Sequence, residues 1–433
     1  MKSCTVFFFL FVLQLSCRAD PPNFIFILAD DLGYGDVGCY GATDIETPNL
    51  DRLAREGLRF TDAYANGAVC SPTRIAFLTG RYQQHYGMDN ALYYQETGRG
   101  LPEDSETIAD RLKEAGYTTG LSGKWHLGYD IERQPLQQGF DHFFGLLGGN
   151  HHYFEHMDRI GIHDLWKGNE TVHREGYSTD LITEDAVNFV RAHRDGPFFL
   201  FLSHAAPHFP WQGPDDEDKD IRPKHRSWQI GDRETYIDMV ESMDKGIGQV
   251  LNVLDELNLA DNTIVIFTSD NGGHTYSSNA PLRGEKATLW EGGIRVPCLV
   301  RWPDRIEANT TTGQVAITMD WTATFAALAG ETAISSSDEG IDLSSVLTGE
   351  ATPVSRTLFW RQQPGPRRKN VPVTQAVRDG VWKYYRDNSG EIFLFNLASD
   401  SSEVENVASE HPDRVETLQT RHLEWARQFD SKQ

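Results

Sequence analysis

Residues 24–31 read FIFILADD. Five consecutive apolar residues, Phe24 to Leu28, stop abruptly at the pair Asp30-Asp31. A short apolar run without polar alternation fits a strand covered on both faces, and such strands belong to parallel sheets. Two later stretches repeat the pattern: Phe198 to Leu202 (FFLFL) leads into His204, and Ile264 to Phe267 (IVIF) leads into Asp270. Helical signals lie between them. Thr47-Pro48 opens a helix with Leu50, Leu53 and Ala54 on one face and Gly57 at its end, and Glu106 to Glu114 forms a second, closed by Gly116. Tyr236, Val240, Met243, Ile247, Val250 and Leu254 recur at helical spacing. Strands alternating with helices predict an α/β fold built on a large, doubly wound, mostly parallel sheet.

The texture changes after Leu347. A basic, loop-like stretch, QQPGPRRKN (Gln362 to Asn370), precedes short strand-like pieces at Gln375 to Arg378, Trp382 to Arg386 and Ile392 to Leu397, and Glu410 to Phe429 reads as a final helix. This predicts a smaller α+β C-terminal subdomain over 348–433, packed on a catalytic domain over 20–347. Residues 1–19 form a separate object. Lys2, the apolar run VFFFLFVLQL and the small residues Ser16, Cys17 and Ala19 have the grammar of a secretory signal. A lipidated Cys17 is the alternative. No other apolar run is long enough for a membrane helix.

The 433 residues carry a net charge of −23, which argues against nucleic acid as the main partner, although a local cleft can still favour an anion. Loss of the signal removes Cys4 and Cys17 and leaves Cys39, Cys70 and Cys298, an odd number. Cys39 and Cys298 read equally as a disulfide or as two buried thiols.

In open α/β sheets ligands gather beyond the carboxyl ends of the strands. Asp30, Asp31, Asp270 and Asn271 fall there and offer three carboxylates and an amide oxygen, a set suited to Ca²⁺ or Mg²⁺ rather than zinc. Either pair alone is an ordinary turn signal; two pairs at matching strand ends are not. Lys124 and His126 follow a glycine-containing turn in LSGKWHLG, and Lys286 lies in LRGEKATLWEGGIRVP.

Residues 68–82, AVCSPTRIAFLTGRY, resolve the odd cysteine. Cys70-Ser-Pro-Thr-Arg74 followed by Leu78-Thr79-Gly80-Arg81 resembles the signature of the type I, formylglycine-dependent sulfatases of the alkaline phosphatase superfamily. LADDLGYGD, GKWHLG, APHFP, SDNGG and GEKATLWEGGIRVP follow in family order, and GEIFLFNLASDSSEVENVA resembles the family's C-terminal hairpin. The resemblance implies that a maturation enzyme converts Cys70 to formylglycine. It implies a metal, Ca²⁺ rather than Mg²⁺, held by Asp30, Asp31, Asp270, Asn271 and residue 70, and no organic cofactor. Arg74, Lys124 and Lys286 would clamp the sulfate oxygens. His208, with His204 as second candidate, would protonate the leaving oxygen, assisted by Lys286, and His126 would act as base.

The expected substrate is a sulfated carbohydrate, a polysaccharide in kind. Asn150 and His151 (in GGNHHYF), His204 and Trp211 are candidates for contacting it, as are Arg367, Arg368 and Lys369. The expected location is exported: periplasmic or secreted in a bacterium, lysosomal or extracellular in a eukaryote. Rival readings are a phosphonate or phosphate diester hydrolase of the same superfamily and a non-catalytic carbohydrate-binding relative.

Overall fold

A computed structural model describes residues 21–330, 338–363 and 371–430. The signal segment and Arg367, Arg368 and Lys369 lie outside the described residues. The central strands are β1 (Asn23–Ala29), β2 (Leu58–Phe60), β3 (Thr118–Lys124), β4 (His142–Leu146), β5 (Phe198–Ser203), β6 (Thr263–Ser269), β7 (Cys298–Arg301) and β8 (Thr310–Thr312). They order as β8-β2-β7-β6-β1-β5-β3-β4, and a two-residue hairpin, Trp166–Lys167 with Glu170–Thr171, extends the far edge. The stretch β6-β1-β5-β3-β4 is parallel throughout, while β7 runs antiparallel to both its neighbours.

The alternation within FIFIL decides the layers. Phe24, Phe26 and Leu28 face one core, where Phe26 stacks on Phe77 at 3.9 Å. Ile25, Ile27 and Ala29 face the other. The first face is covered by α2 (Cys70–Thr79), α3 (Ile108–Glu114) and α7 (Asp320–Leu328), and the second by α1 (Pro48–Arg55), α4 (Ser178–Ala192) and α5 (Arg233–Glu256). The remaining helices are the short α6 (Glu291–Ile294) and α8 (Ser344–Leu347), and α9 (Pro412–Asp430).

One element departs from the sequence expectation, and a second gives no signal in the sequence. Residues 118–124, TTGLSGK, form a central strand rather than a turn. Its glycines answer crowding: a Cβ on Gly123, at φ +119°, would lie 1.8 Å from the Ser203 carbonyl oxygen. Close packing against β5 demands the residues that hide the strand from a propensity reading. The second is α2, in which all ten residues are buried. It has no exposed face, so its polar and apolar residues follow no helical periodicity.

The C-terminal unit is a four-stranded antiparallel meander, β9 (Thr357–Gln362), β10 (Thr374–Asp379), β11 (Trp382–Arg386) and β12 (Ile392–Asn396), with α9 against it. Trp360 anchors it to the main body through its indole N–H on the Ala65 carbonyl at 2.8 Å. Cys39 and Cys298 are both free thiols.

Candidate active site

Four chain segments far apart in sequence arrive at one sheet edge. β1 runs directly into Asp30 and Asp31, β6 into Asp270 and Asn271, and β3 ends on Lys124 with His126 two residues later. β5 leads to His204 and His208. The Asp31 amide donates to the Asp270 carboxylate at 3.2 Å, joining the first two segments.

Asp30, Asp31 and Asp270 are almost wholly buried. Buried carboxylates need answering charges, and three cations supply them. Lys124 bonds Asp30; Lys286 Nζ lies 2.6 Å from Asp31; Arg74 grips Asp270 through Nη2 at 2.9 Å and Nε at 3.2 Å. Burial works to raise the Asp31 carboxyl, but Lys286 and His208 outweigh it and hold it well below the usual carboxylate range. Burial and the neighbouring Asp30 push Asp270 up to about 6 against Arg74 and Lys124. Burial would lower the Lys286 ammonium; Asp31, Cys70 and Asp30 overcome it and keep the lysine charged.

Cys70 opens α2, whose N-terminus carries no side-chain cap, so the positive end of the helix dipole sits at this residue. The Cys70 thiol donates to Asp30 at 3.3 Å and lies 3.5 Å from Lys286 Nζ. Burial, then Asp30, pushes the thiol pKa upward. A pocket of about 150 Å³ opens above it. Cys70, His126, His208 and Lys286 line its floor, and Tyr93, Tyr94, Asn150 and Phe209 its walls.

His126 has Nε2 on the Leu92 carbonyl at 3.1 Å, which places the proton there and leaves buried Nδ1 without a partner. His208 has Nδ1 2.6 Å from the Phe209 carbonyl and turns Nε2 toward Asp31 at 3.5 Å. Burial first, then nearby lysines, pushes both imidazoles well below their usual pKa. Asp31, His126 and Ala287 hold left-handed φ values of 65°, 60° and 65°. Non-glycine residues in this region cost free energy, and their clustering marks functional geometry.

Not every candidate reaches the pocket. Arg74 is fully buried and spends its guanidinium on Asp270, the Lys124 carbonyl and Ser203, so it braces a carboxylate rather than facing ligand. Lys124, also fully buried, stands behind Asp30. His204 is away from the lining; both its ring nitrogens are unpartnered, and burial lowers it to about 4. His151 has Nδ1 on the Asp164 carbonyl and Nε2 on Ser178 with no exposed surface, so it holds its loop together instead of meeting substrate. Trp211 is 4 % exposed and packs edge-on against Tyr276, which leaves no free ring face for a sugar. Asn150 does line the pocket, fixed by Tyr94 and Trp228 and 3.3 Å from His208. Tyr93, Tyr94 and Phe209 were not singled out by sequence; the adjacent tyrosines in an otherwise polar, glycine-containing stretch were the available signal.

The residues fit a hard divalent cation. Ligand atoms of Asp30, Asp31, Cys70 and His208 lie within 4.8 Å of one another. Asn271 has its amide nitrogen on Asp31 and its buried Oδ1 without a hydrogen-bond partner, a donor atom left over for an ion. Three carboxylates already face three cations, so a divalent ion would leave the pocket net positive.

The Sulfatase family model matches residues 22–331, and the model described as N-sulphoglucosamine sulphohydrolase, C-terminal, matches residues 284–428. The chain is 36% identical to human N-acetylgalactosamine-6-sulfatase over 74% of its own length and 64% of that protein's. It is 32% identical to mouse arylsulfatase J over 92% of this chain and 74% of that one. The crystal structure of Ps i-CgsB superimposes with a TM-score of 0.86 at 34% identity, covering 94% of this chain and 93% of that one. The same protein has been solved in complex with k-i-k-neocarrahexaose. Among the described residues no helix is long and apolar enough to cross a membrane. With the family model covering most of the chain and the site residues gathered at one strand edge, this protein belongs to the sulfatase family, a metal-dependent family of the alkaline phosphatase superfamily.

Proposed function

We propose that this chain hydrolyses sulfate esters of sulfated carbohydrates, with residue 70 matured to formylglycine. One observation carries the reading: the side chain of residue 70 stands at a helix N-terminus between Lys286 and Asp30, on the floor of the pocket. The hydrated aldehyde supplies the oxygen that attacks sulfur. Asp30, Asp31, Asp270 and Asn271 fit Ca²⁺, which when bound supplies positive charge against the sulfate oxygens. Lys286 orients the ester within reach of residue 70 and stays protonated as it does so. His208, with Nδ1–H on the Phe209 carbonyl, acts as acid in its doubly protonated form, which the negative charge of a bound sulfate ester favours, and delivers the Nε2 proton to the leaving alcohol. His126, with Nδ1 unpaired, accepts the proton released when residue 70 returns to the aldehyde.

The pocket, about 150 Å³, is small enough to seat the sulfate group at Cys70, Lys286 and His208 and to leave the sugar toward the rim, where Tyr93 is exposed. The relatives' names support this class: one names an N-acetylgalactosamine-6-sulfatase, and another protein was solved with a neocarrahexaose. Export through the N-terminal segment and action of a maturation enzyme on Cys70-Ser-Pro-Thr-Arg74 belong to the same proposal.

Sulfate release from a panel of sulfated galactose and amino-sugar oligosaccharides, with an aryl sulfate and a matched aryl phosphodiester, tests it. The expected result is sulfate release that exceeds phosphodiester cleavage. Faster cleavage of the phosphodiester would replace sulfatase by phosphoester hydrolase, and turnover of neither would leave the binding-module reading.

A further inference from the structure

Lys286 sits on a loop whose two ends are held by a single turn of the C-terminal unit, residues 400–405. At the near end Ser402 Oγ donates to the Pro281 carbonyl at 2.8 Å, and Arg283 Nη1 donates to the Glu403 carbonyl at 2.9 Å. At the far end the Glu291 amide, which opens α6, donates to Glu403 Oε2 at 2.6 Å. Lys383 on β11 closes the arrangement, with Nζ 2.9 Å from Glu291 and 2.7 Å from Glu403. All three of these ionic side chains are fully buried. The Arg283 guanidinium also lies 3.8 Å over Trp290, which packs edge-on against Tyr385 and Phe393.

The turn itself is fixed. Asp400 accepts from the amides of Val404 at 3.1 Å and Glu405 at 2.9 Å, and Glu403 is held in the left-handed region at φ 54°. A non-glycine residue stays there only when its surroundings over-determine it. Between the pinned ends the loop reaches inward. The Lys286 amide donates to Gly273, next to the candidate metal ligands, and the Ala287 amide to Ala68, two residues before Cys70. The loop therefore spans from the C-terminal sheet to the pocket floor.

We infer that Glu403, with Lys383, is a positioning residue: the C-terminal turn sets the place of the Lys286 ammonium over residue 70. Glu403 touches no substrate, and the inference rests on the sulfatase reading only for Lys286's role. It explains why a carboxylate, a poor residue to bury, stands where an apolar side chain would pack. Only a carboxylate accepts the α6 amide on one oxygen and sets a negative charge against the Lys383 ammonium with the other.

The test compares Glu403→Ala with Glu403→Gln, which keeps an acceptor for the Glu291 amide, in the full-length matured protein. Deuterium uptake of the peptide covering residues 283–294 is one readout, and kcat and KM on an aryl sulfate, per folded protein and well below the thermal midpoint, are the other. E403A is expected to raise uptake in that peptide while β1 stays protected, and to lower kcat by about ten- to a hundredfold with little change in KM. E403Q, which keeps the acceptor for the Glu291 amide but presents N–H groups to Lys383, is expected to fall between E403A and the parent in both readouts. Unchanged uptake, or a kcat for folded E403A within about twofold of the parent, overturns the inference. If the parent releases no sulfate, the function proposal fails, and deuterium uptake still decides whether Glu403 orders the loop. If E403A does not fold, Asp400→Ala, which loosens the same turn from its exposed side, gives the same two readouts.

Discussion

Two buried ionic clusters meet on the 281–294 segment, one at Lys286 in its middle and the other at Glu291 near its end, and they are built alike but finished differently. At the strand edge Asp30, Asp31 and Asp270 face Lys124, Lys286 and Arg74. Beneath the C-terminal sheet Glu291, Glu403 and Asp62 face Lys383, Arg295 and Arg378. The second cluster closes on itself: the Tyr64 hydroxyl donates to Glu291 at 2.6 Å, Arg295 and Arg378 both reach Asp62, and Glu403 Oε1, outside hydrogen-bond alignment, is answered by the Lys383 ammonium 2.7 Å away. The first stops short. It borders a pocket, and it leaves Asn271 Oδ1 and His126 Nδ1 buried without partners. A satisfied ionic cluster fixes a junction; one left with spare donor atoms beside a cavity is arranged for something that binds.

Substitutions separate the two. Cys70→Ala should lower sulfate release by more than about a thousandfold with the fold intact; release near the parental rate would break the distinction at its centre. Asp270→Asn should remove most bound metal, read by elemental analysis, and cost on the order of a hundredfold or more in kcat, while parental metal content would dismiss Asp270 as a ligand. In the other cluster Lys383→Met strands two buried carboxylates. The expected cost is about 3–5 kcal/mol of stability, seen in denaturant unfolding, and an unchanged midpoint would show that the junction tolerates free charge. His208→Asn should slow esters of poor leaving alcohols by about a hundredfold or more and activated aryl sulfates by much less. Equal losses on both would remove it from the acid role.

The smallest effect concerns Asp164, which holds the loop carrying Asn150 by accepting the Leu147 and Gly148 amides. Burial raises its carboxyl to about 7, above the ordinary value near ~3.9. A raised folded-state pKa gives stability that is complete below about pH 4 and is lost as pH rises through about 7. Asp164→Asn lacks that loss. The difference in thermal midpoint should therefore shift in the variant's favour between those two pH values, and parallel curves would contradict it.

The parts legible in sequence were those that one segment carries alone. FIFIL, FFLFL and IVIF announced their strands because a strand buried on both faces must be continuously apolar, and the acidic pairs after them announced a cation site. β10, β11 and β12 are legible to within a residue at either end, whereas β9 has no signal of its own and ends at Gln362, where the loop-like stretch begins. β3 and α2 were hidden, the first because close packing required glycine, the second because a wholly buried helix has no exposed face. The identity of the charged residues said nothing about direction: Arg74 points into the protein and His151 into its own loop, and no spacing rule reveals that. The second ionic cluster was out of reach altogether, since Asp62, Glu291, Lys383 and Glu403 meet only once the two units dock.

The most direct test of the central claim is mass spectrometry of the tryptic peptide running from Phe60 to Arg74, taken from protein produced in its native host and shown to release sulfate. An aldehyde is expected in place of the thiol at position 70. An unmodified Cys70 in sulfate-releasing protein would contradict it and would require another nucleophile at the pocket floor.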